Sequence, residues 1–173
     1  MATTKLKGNP VKLEGREIGE GDMAPTVQLV KPDLSEWTVG GAKDKIQVLV
    51  AVPSLDTPVC ATEARKFNQA VAGVDGVELT VISMDLPFAM GRYCTTEGIR
   101  NLTTASDFRE KAFAKAYGVL IADGPLAGLA ARTIFVVGRD GRVTYRQIVP
   151  EITEEPDYGA ALKATKSGLT EVR

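Results

Sequence analysis

A chain of 173 residues and 18.4 kDa exposes roughly 8,200 Å² when folded as one body against roughly 26,700 Å² unfolded, enough burial for one domain with its own core. Apolar content of 44%, charged content of 25% and a balance of 21 basic against 22 acidic residues exclude disordered, collagenous and coiled-coil classes and leave no footprint for nucleic acid or an anionic membrane. Histidine is absent, which excludes Ser-His-Asp and Cys-His hydrolases and imidazole metal sites, and two cysteines alone do not make the usual four-ligand zinc site.

In chain order, Lys5 to Gly8 and Val11 to Glu14 flank Asn9-Pro10 and predict a small hairpin or arm within an N-terminal extension of about 25 residues. Gly15 to Pro25 reads as loop, followed by a short strand near Thr26 to Val30, a loop holding Trp37, and the β-branched run Ile46 to Val52. Cys60 to Val71 places Ala61, Ala64, Phe67 and Val71 on one helical face and Glu63, Arg65, Lys66 and Asn68 elsewhere. Gly73 and Gly76 end that helix, and Val77 to Ser83 is a second buried strand, parallel to the first through the crossover. Phe88 to Gly98 predicts a short helix. Ser106 is expected to cap another, with Phe108, Ala112 and Ala116 inward and a stop at Gly118. Arg132 to Val137 and Val143 to Ile148 flank the turn Gly138-Arg139-Asp140-Gly141, and a last helix spans Asp157 to Lys166. The sum is a single α/β domain over 1–173, a mixed central sheet with helices on both faces, in the element order of a thioredoxin-like fold.

The N-terminus lacks an apolar signal region, and the longest apolar stretch, Ile46 to Pro53, is far shorter than a membrane span. The expected location is the cytoplasm, where two cysteines suit a reversible thiol pair better than a permanent disulfide. The sequon Asn101-Leu102-Thr103 carries no weight without export, Gly19-x-Gly21 lacks the strand and third glycine of a nucleotide loop, and Glu154-Glu155 reads as solvated surface. No cofactor or metal is expected.

Cys60 follows a strand and loop and falls in the first turn of a predicted helix, where unpaired N–H groups and about half a positive charge favour a thiolate. A cysteine is more often a small buried hydrophobe, and its position leaves both readings open. Taken singly, Arg132 reads as a salt-bridged strand residue, Thr57 as a cap or turn residue, and Pro53 as punctuation after a strand.

Together these residues resemble a known family. Pro53-Ser54-Leu55-Asp56-Thr57-Pro58-Val59-Cys60 contains the P-x-x-x-T-x-x-C signature of peroxiredoxins, and Phe67-Asn68 continues the match. Asp85-Leu86-Pro87-Phe88-Ala89, Arg92-Tyr93-Cys94, Ser106-Asp107-Phe108-Arg109, Tyr117-Gly118-Val119, Ala131-Arg132 and Glu154-Glu155-Pro156-Asp157-Tyr158 resemble the bacterial atypical two-cysteine peroxiredoxins over nearly the whole chain. Tyr93, where phenylalanine is expected, and the motif-free tail beyond Leu162 are the departures. The resemblance implies that Cys60 is the peroxidatic cysteine, passing through a sulfenic acid, and Cys94 the resolving cysteine of the same chain. It further implies that Thr57 hydrogen-bonds thiolate and peroxide, that Arg132 lies beside the sulfur, that Pro53 shields the pocket, that hydroperoxides are the substrates and thioredoxin the reductant, and that the protein is a homodimer.

Thiolate formation alone does not make a peroxidase. Lowering a thiol from about 8.5 to about 6 raises its thiolate fraction at neutral pH roughly thirtyfold, while a Brønsted slope of about 0.4–0.5 takes back roughly ten- to eighteenfold in nucleophilicity. The larger effect must come from donors aimed at the departing oxygen, for which Arg132, Thr57 and the amides near Cys60 are candidates. Met84, Phe88, Met90 and Tyr93 are either core or the lining of an apolar hydroperoxide pocket. Cys94 lies 34 positions after Cys60, so their disulfide closes a loop worth about 3.8 kcal/mol of chain entropy. The first turn at Cys60 and the segment Phe88 to Gly98 are expected to rearrange between redox forms. Two rival readings remain at this level. A protein dithiol oxidoreductase is disfavoured by the lack of a C-x-x-C pair, and the other is a noncatalytic module with both cysteines in its core.

Overall fold

The computed structural model describes residues 2–71, 74–99 and 102–170; Gly73 and Asn101 lie outside them. Its accessible surface is 8268 Å².

Period-two alternation in the central strand, β5 (Ile46–Ala51), divides the interior. Ile46, Val48 and Val50 point into one apolar cluster and Leu49 and Ala51 into another. The neighbouring β9 (Thr133–Val137) repeats the division, with Ile134 and Val136 on the first face and Phe135 and Val137 on the second. Seven strands form the main sheet in the order β10 (Val143–Ile148), β9, β5, β6 (Val77–Ser83), β7 (Thr103–Ser106), β3 (Val27–Val30) and β4 (Glu36–Val39), and β6 lies parallel to β5 as the crossover requires. Strand β9 runs antiparallel to β5, with Ala51 opposite Thr133. On the first face pack α1 (Pro58–Val71) and α4 (Tyr158–Thr170), with Met90 of α2 (Pro87–Glu97) in the same cluster. The second face is covered by α3 (Ala112–Ala116) and by a small sheet of order β1-β2-β8.

Several expectations are corrected. The hairpin of β1 (Thr3–Leu6) and β2 (Asn9–Glu14) turns at Lys7-Gly8, not at Asn9-Pro10. Both turn residues have positive φ, the geometry of a type I′ turn, which Pro10 with its fixed negative φ does not adopt. The segment around Trp37 is a strand, β4 (Glu36–Val39), paired with β3 (Val27–Val30). The Trp37 indole donates to Thr80 Oγ1 at 3.1 Å. Ser106 caps no helix. It ends β7 (Thr103–Ser106), a polar strand buried between β6 and β3, and the cap of α3 is the Asp107 carboxylate, which accepts from the Phe113 and Ala114 amides at 3.0 and 2.9 Å. That helix is one short turn, so Phe108 is exposed and Phe113 is inside. The two-residue strand β8 (Leu120–Ile121) pairs with β2. The hairpin β9 to β10 (Val143–Ile148) stands as expected, closed through Gly138 to Gly141.

Candidate active site

The C-terminal end of β5 runs into Val52, Pro53 and Ser54, and α1 begins at Pro58, two residues earlier than the periodicity suggests. Pro58 suits a first helical position because its missing N–H has no helical partner to lose. Thr57 accepts the first helical bond through its carbonyl, from Ala61 N at 3.0 Å, while its hydroxyl donates to the Ser54 carbonyl at 3.0 Å. Asp85, just after β6, fastens this loop: its carboxylate accepts from Ser54 Oγ and from the Leu55 amide, both at 2.7 Å, and from Ser83 Oγ at 2.6 Å. Pro53 is buried beneath the loop.

Cys60 falls in the first turn of α1, 0% exposed. Because β9 is antiparallel to β5, the residue before β9 lies at the sheet end from which α1 departs, and alternation with Ile134 and Val136 turns the Arg132 side chain toward α1. Arg132 Nη1 donates to Cys60 Sγ at 3.1 Å and to Glu63 Oε1 at 3.4 Å, while Nε donates to the Ile152 carbonyl at 2.8 Å. The guanidinium is 3% exposed and thus held from two sides.

Glu63 is the residue that sequence reading placed off the buried face, and the structure buries it completely. Its position three residues after Cys60 and four before Phe67 is the helical neighbour spacing, so the signal was present and the acidic side chain hid it. Burial pushes the Glu63 carboxyl up to about 7 against the opposing pull of Arg132, and nearby Glu155 adds to the rise. Oε2 of Glu63 has no hydrogen-bond partner among the described residues. Glu155 is exposed as expected, and there it pairs with Lys66 at 2.9 Å and accepts from the Tyr158 hydroxyl at 2.8 Å, while Tyr158 packs edge-on to Phe67.

A cleft of about 790 Å³ adjoins this buried triad without reaching the sulfur. It lies between the start of α1 and the outer side of α2, lined by Ser54, Thr57, Pro58, Ala61, Arg92 and Tyr93 among others. The Tyr93 hydroxyl donates to the Ala61 carbonyl at 3.2 Å, and burial, then the Glu97 charge, raises it to about 12. Of the other candidate lining residues, Met90 is core, Phe88 is 69% exposed and Met84 packs against the second cluster. Cys94, in α2, is half-buried, its Sγ 3.7 Å from Thr104 Oγ1, and desolvation raises its thiol. Both cysteines are free thiols. Arg132 thus meets Cys60 at one end of the sheet, beside the loop that carries Pro53 and Thr57; the Thr57 hydroxyl, expected on the thiolate, is given instead to the Ser54 carbonyl, and Cys94 sits on the helix across the cleft.

The chain matches the Redoxin family over residues 19–162. It is 54% identical to a thiol peroxidase of Aquifex aeolicus over 164 residues, 95% of this chain and 96% of that one. It is also 54% identical to a thiol peroxidase of Leptospira interrogans over 171 residues, 98% and 100% of the two chains. A crystal structure of a peroxiredoxin-like protein from Aquifex aeolicus superposes with a TM-score of 0.95 at 52% identity, covering 97% of this chain and 98% of the other. A sheet-end cysteine under a guanidinium, on this fold and with these relatives, identifies the chain as a member of the redoxin family and, within its peroxiredoxins, of the thiol peroxidases, which are peroxidase oxidoreductases.

Proposed function

We propose that this single-domain chain reduces hydrogen peroxide and organic hydroperoxides through Cys60, that Cys94 resolves the product as an intrachain disulfide, and that thioredoxin returns both thiols. The observation that carries the reading is the 3.1 Å contact from Arg132 Nη1 to Cys60 Sγ, a charge-assisted donor on a fully buried sulfur. In the first step the Cys60 thiolate attacks the distal oxygen of the hydroperoxide. The S–O bond forms as the O–O bond breaks, sulfur is oxidised to a sulfenic acid, and the departing oxygen leaves as water or alcohol after taking a proton. Arg132 and the first-turn amides of α1 supply the donors for the negative charge that grows on that oxygen, the Thr57 hydroxyl joins them by turning away from the Ser54 carbonyl, and the buried Pro53 keeps water from the sulfur.

In the second step the Cys94 sulfur attacks Cys60, the S–S bond forms, and the hydroxyl departs as water. The half-buried, upward-shifted thiol of Cys94 suits this order, because it leaves Cys60 as the thiol poised to meet peroxide first. Neither helix carries a transmembrane span, since no helix among the described residues is long and apolar enough to cross a membrane. A cytoplasmic homodimer is part of the same reading, by analogy with the family.

The test adds one equivalent of hydrogen peroxide to wild type, Cys60→Ser and Cys94→Ser and follows free thiols and intact mass. Wild type loses both thiols as an intrachain disulfide, Cys60→Ser consumes no peroxide, and Cys94→Ser accumulates a trappable sulfenic acid. Slow, equal oxidation of the two thiols refutes the reading.

A further inference from the structure

One guanidinium serves two acidic groups in this site. Arg132 Nη1 bonds Cys60 Sγ at 3.1 Å and Glu63 Oε1 at 3.4 Å, and the three side chains are 3% exposed or less. With both the thiolate and the carboxylate ionised, the buried triad carries a net negative charge, for which desolvation is costly. The bare Oε2 of Glu63 points the same way, because an unpartnered oxygen of a neutral carboxyl is far less costly to bury than one of a carboxylate. The groups facing Glu63 from the other elements do not relieve this. Glu155 is a further anion already paired with Lys66, and Tyr158 directs its proton to Glu155.

We propose that Glu63 holds a proton while Cys60 is a thiolate and releases it when the sulfur becomes a sulfenic acid, so that Arg132 faces one anion in both states. The reduced pair and a hydroperoxide, Cys60–S⁻ with Glu63–COOH and R–O–O–H, give Cys60–S–O–H, Glu63–COO⁻ and R–O–H. Two hydrogens and one negative charge stand on each side. Sulfur is oxidised, the peroxide is reduced, and the proton lost by Glu63 equals the one the departing oxygen gains. The carboxyl is a positioning residue, acting through the guanidinium. Its upward shift is in the direction this exchange needs.

The inference rests on the peroxidase reading, and the experiment separates the two. Cys94→Ser, which stops at the sulfenic acid, is mixed with one equivalent of hydrogen peroxide in weak buffer near neutral pH. Infrared difference spectra and proton uptake are recorded, and sulfenic acid is titrated independently with a dimedone-type reagent. The expected result is loss of a protonated-carboxyl C=O band with gain of carboxylate bands, and no net proton uptake. The Cys94→Ser/Glu63→Gln protein lacks that band and takes up one proton per sulfenic acid formed. Sulfenic acid formation with no change in the carboxyl band of Cys94→Ser overturns the inference alone, even if the double variant fails to fold. Equal proton uptake in the two proteins also overturns it. Absence of sulfenic acid overturns the peroxidase reading and this inference with it.

Discussion

Replacing Glu63 by glutamine in a Cys60→Ser background isolates one buried acid from its coupled thiol. The carboxyl ordinarily titrates near 4.5 and is raised to about 7 in the folded protein, so the native state binds its proton more tightly than the unfolded chain does. The free energy of unfolding therefore falls as pH rises from about 4.5 through about 7 and levels off above. A rise of about 2.5 units corresponds to about 3 kcal/mol. Glutamine, neutral at every pH, removes this dependence. Urea unfolding of Cys60→Ser and Cys60→Ser/Glu63→Gln between pH 5 and 8 should show two stability curves that nearly coincide at the acidic end. They diverge toward pH 8, with the glutamine variant the more stable by about 3 kcal/mol, a midpoint difference of roughly 1–2 M at an m value of about 2 kcal/mol/M. Curves that run parallel from pH 5 to 8 would show that Glu63 is ionised throughout when residue 60 is neutral, and would refute burial as the cause of its raised titration.

Arg132→Met removes the donor to Cys60 and leaves Glu63 buried without its cation, so the rate of sulfenic acid formation in stopped-flow peroxide assays should fall by about 10²–10³. Asp85→Ala strands the Ser54 hydroxyl and the Leu55 amide, and a loss of about 2–4 kcal/mol in denaturant unfolding is expected, together with a slower reaction of Cys60. Gly40→Ala places a Cβ 1.9 Å from the Pro25 carbonyl oxygen at a positive φ, and calorimetry should register a loss of about 3 kcal/mol or more. Amide exchange compared between the reduced and disulfide forms should differ at the first turn of α1 and along α2; near-identical protection in both forms would contradict the proposed resolution step.

Strong, uniform patterns were legible in the chain before any coordinates. The β-branched run of β5, the amphipathic stretch of α1 and the turn-rich link between β9 and β10 each carry a signal that burial reinforces. What escaped is local weakness compensated by tertiary contact. Strand β7, Thr-Thr-Ala-Ser, has no apolar alternation and exists because β6 and β3 supply its partners. The α3 cap is Asp107, six residues before the first amide it holds, a separation that no local rule scans. Site residues fared similarly. The candidates Cys60, Thr57, Arg132 and Pro53 were visible through a motif, and the contact of Arg132 with Cys60 follows from β9 running antiparallel to β5. Glu63 carried the right spacing but the wrong polarity, and only the guanidinium across the sheet end explains how an acid comes to be buried there.

The two cysteine-bearing helices are anchored unequally, and that asymmetry bears on the proposed resolution step. Helix α1 buries Cys60, Glu63, Ala64, Phe67 and Val71, a continuous stripe whose disruption beyond the first turn exposes much of one core cluster. Helix α2 buries only Pro87 and Met90, and Leu86 at its start offers no side-chain cap, whereas α4 has its Ala160 amide held by Asp157. The far end of α2 closes on Cys94 itself, whose carbonyl accepts the amides of Gly98 and Ile99. Moving Cys94 therefore unfastens the helix that carries it, while moving Cys60 is resisted by everything after its first turn. Local opening has its lowest free energy where few apolar contacts are lost. In the proposed resolution step the approach of the two sulfurs would therefore fall mainly to α2, with α1 yielding no more than the first turn that holds Cys60.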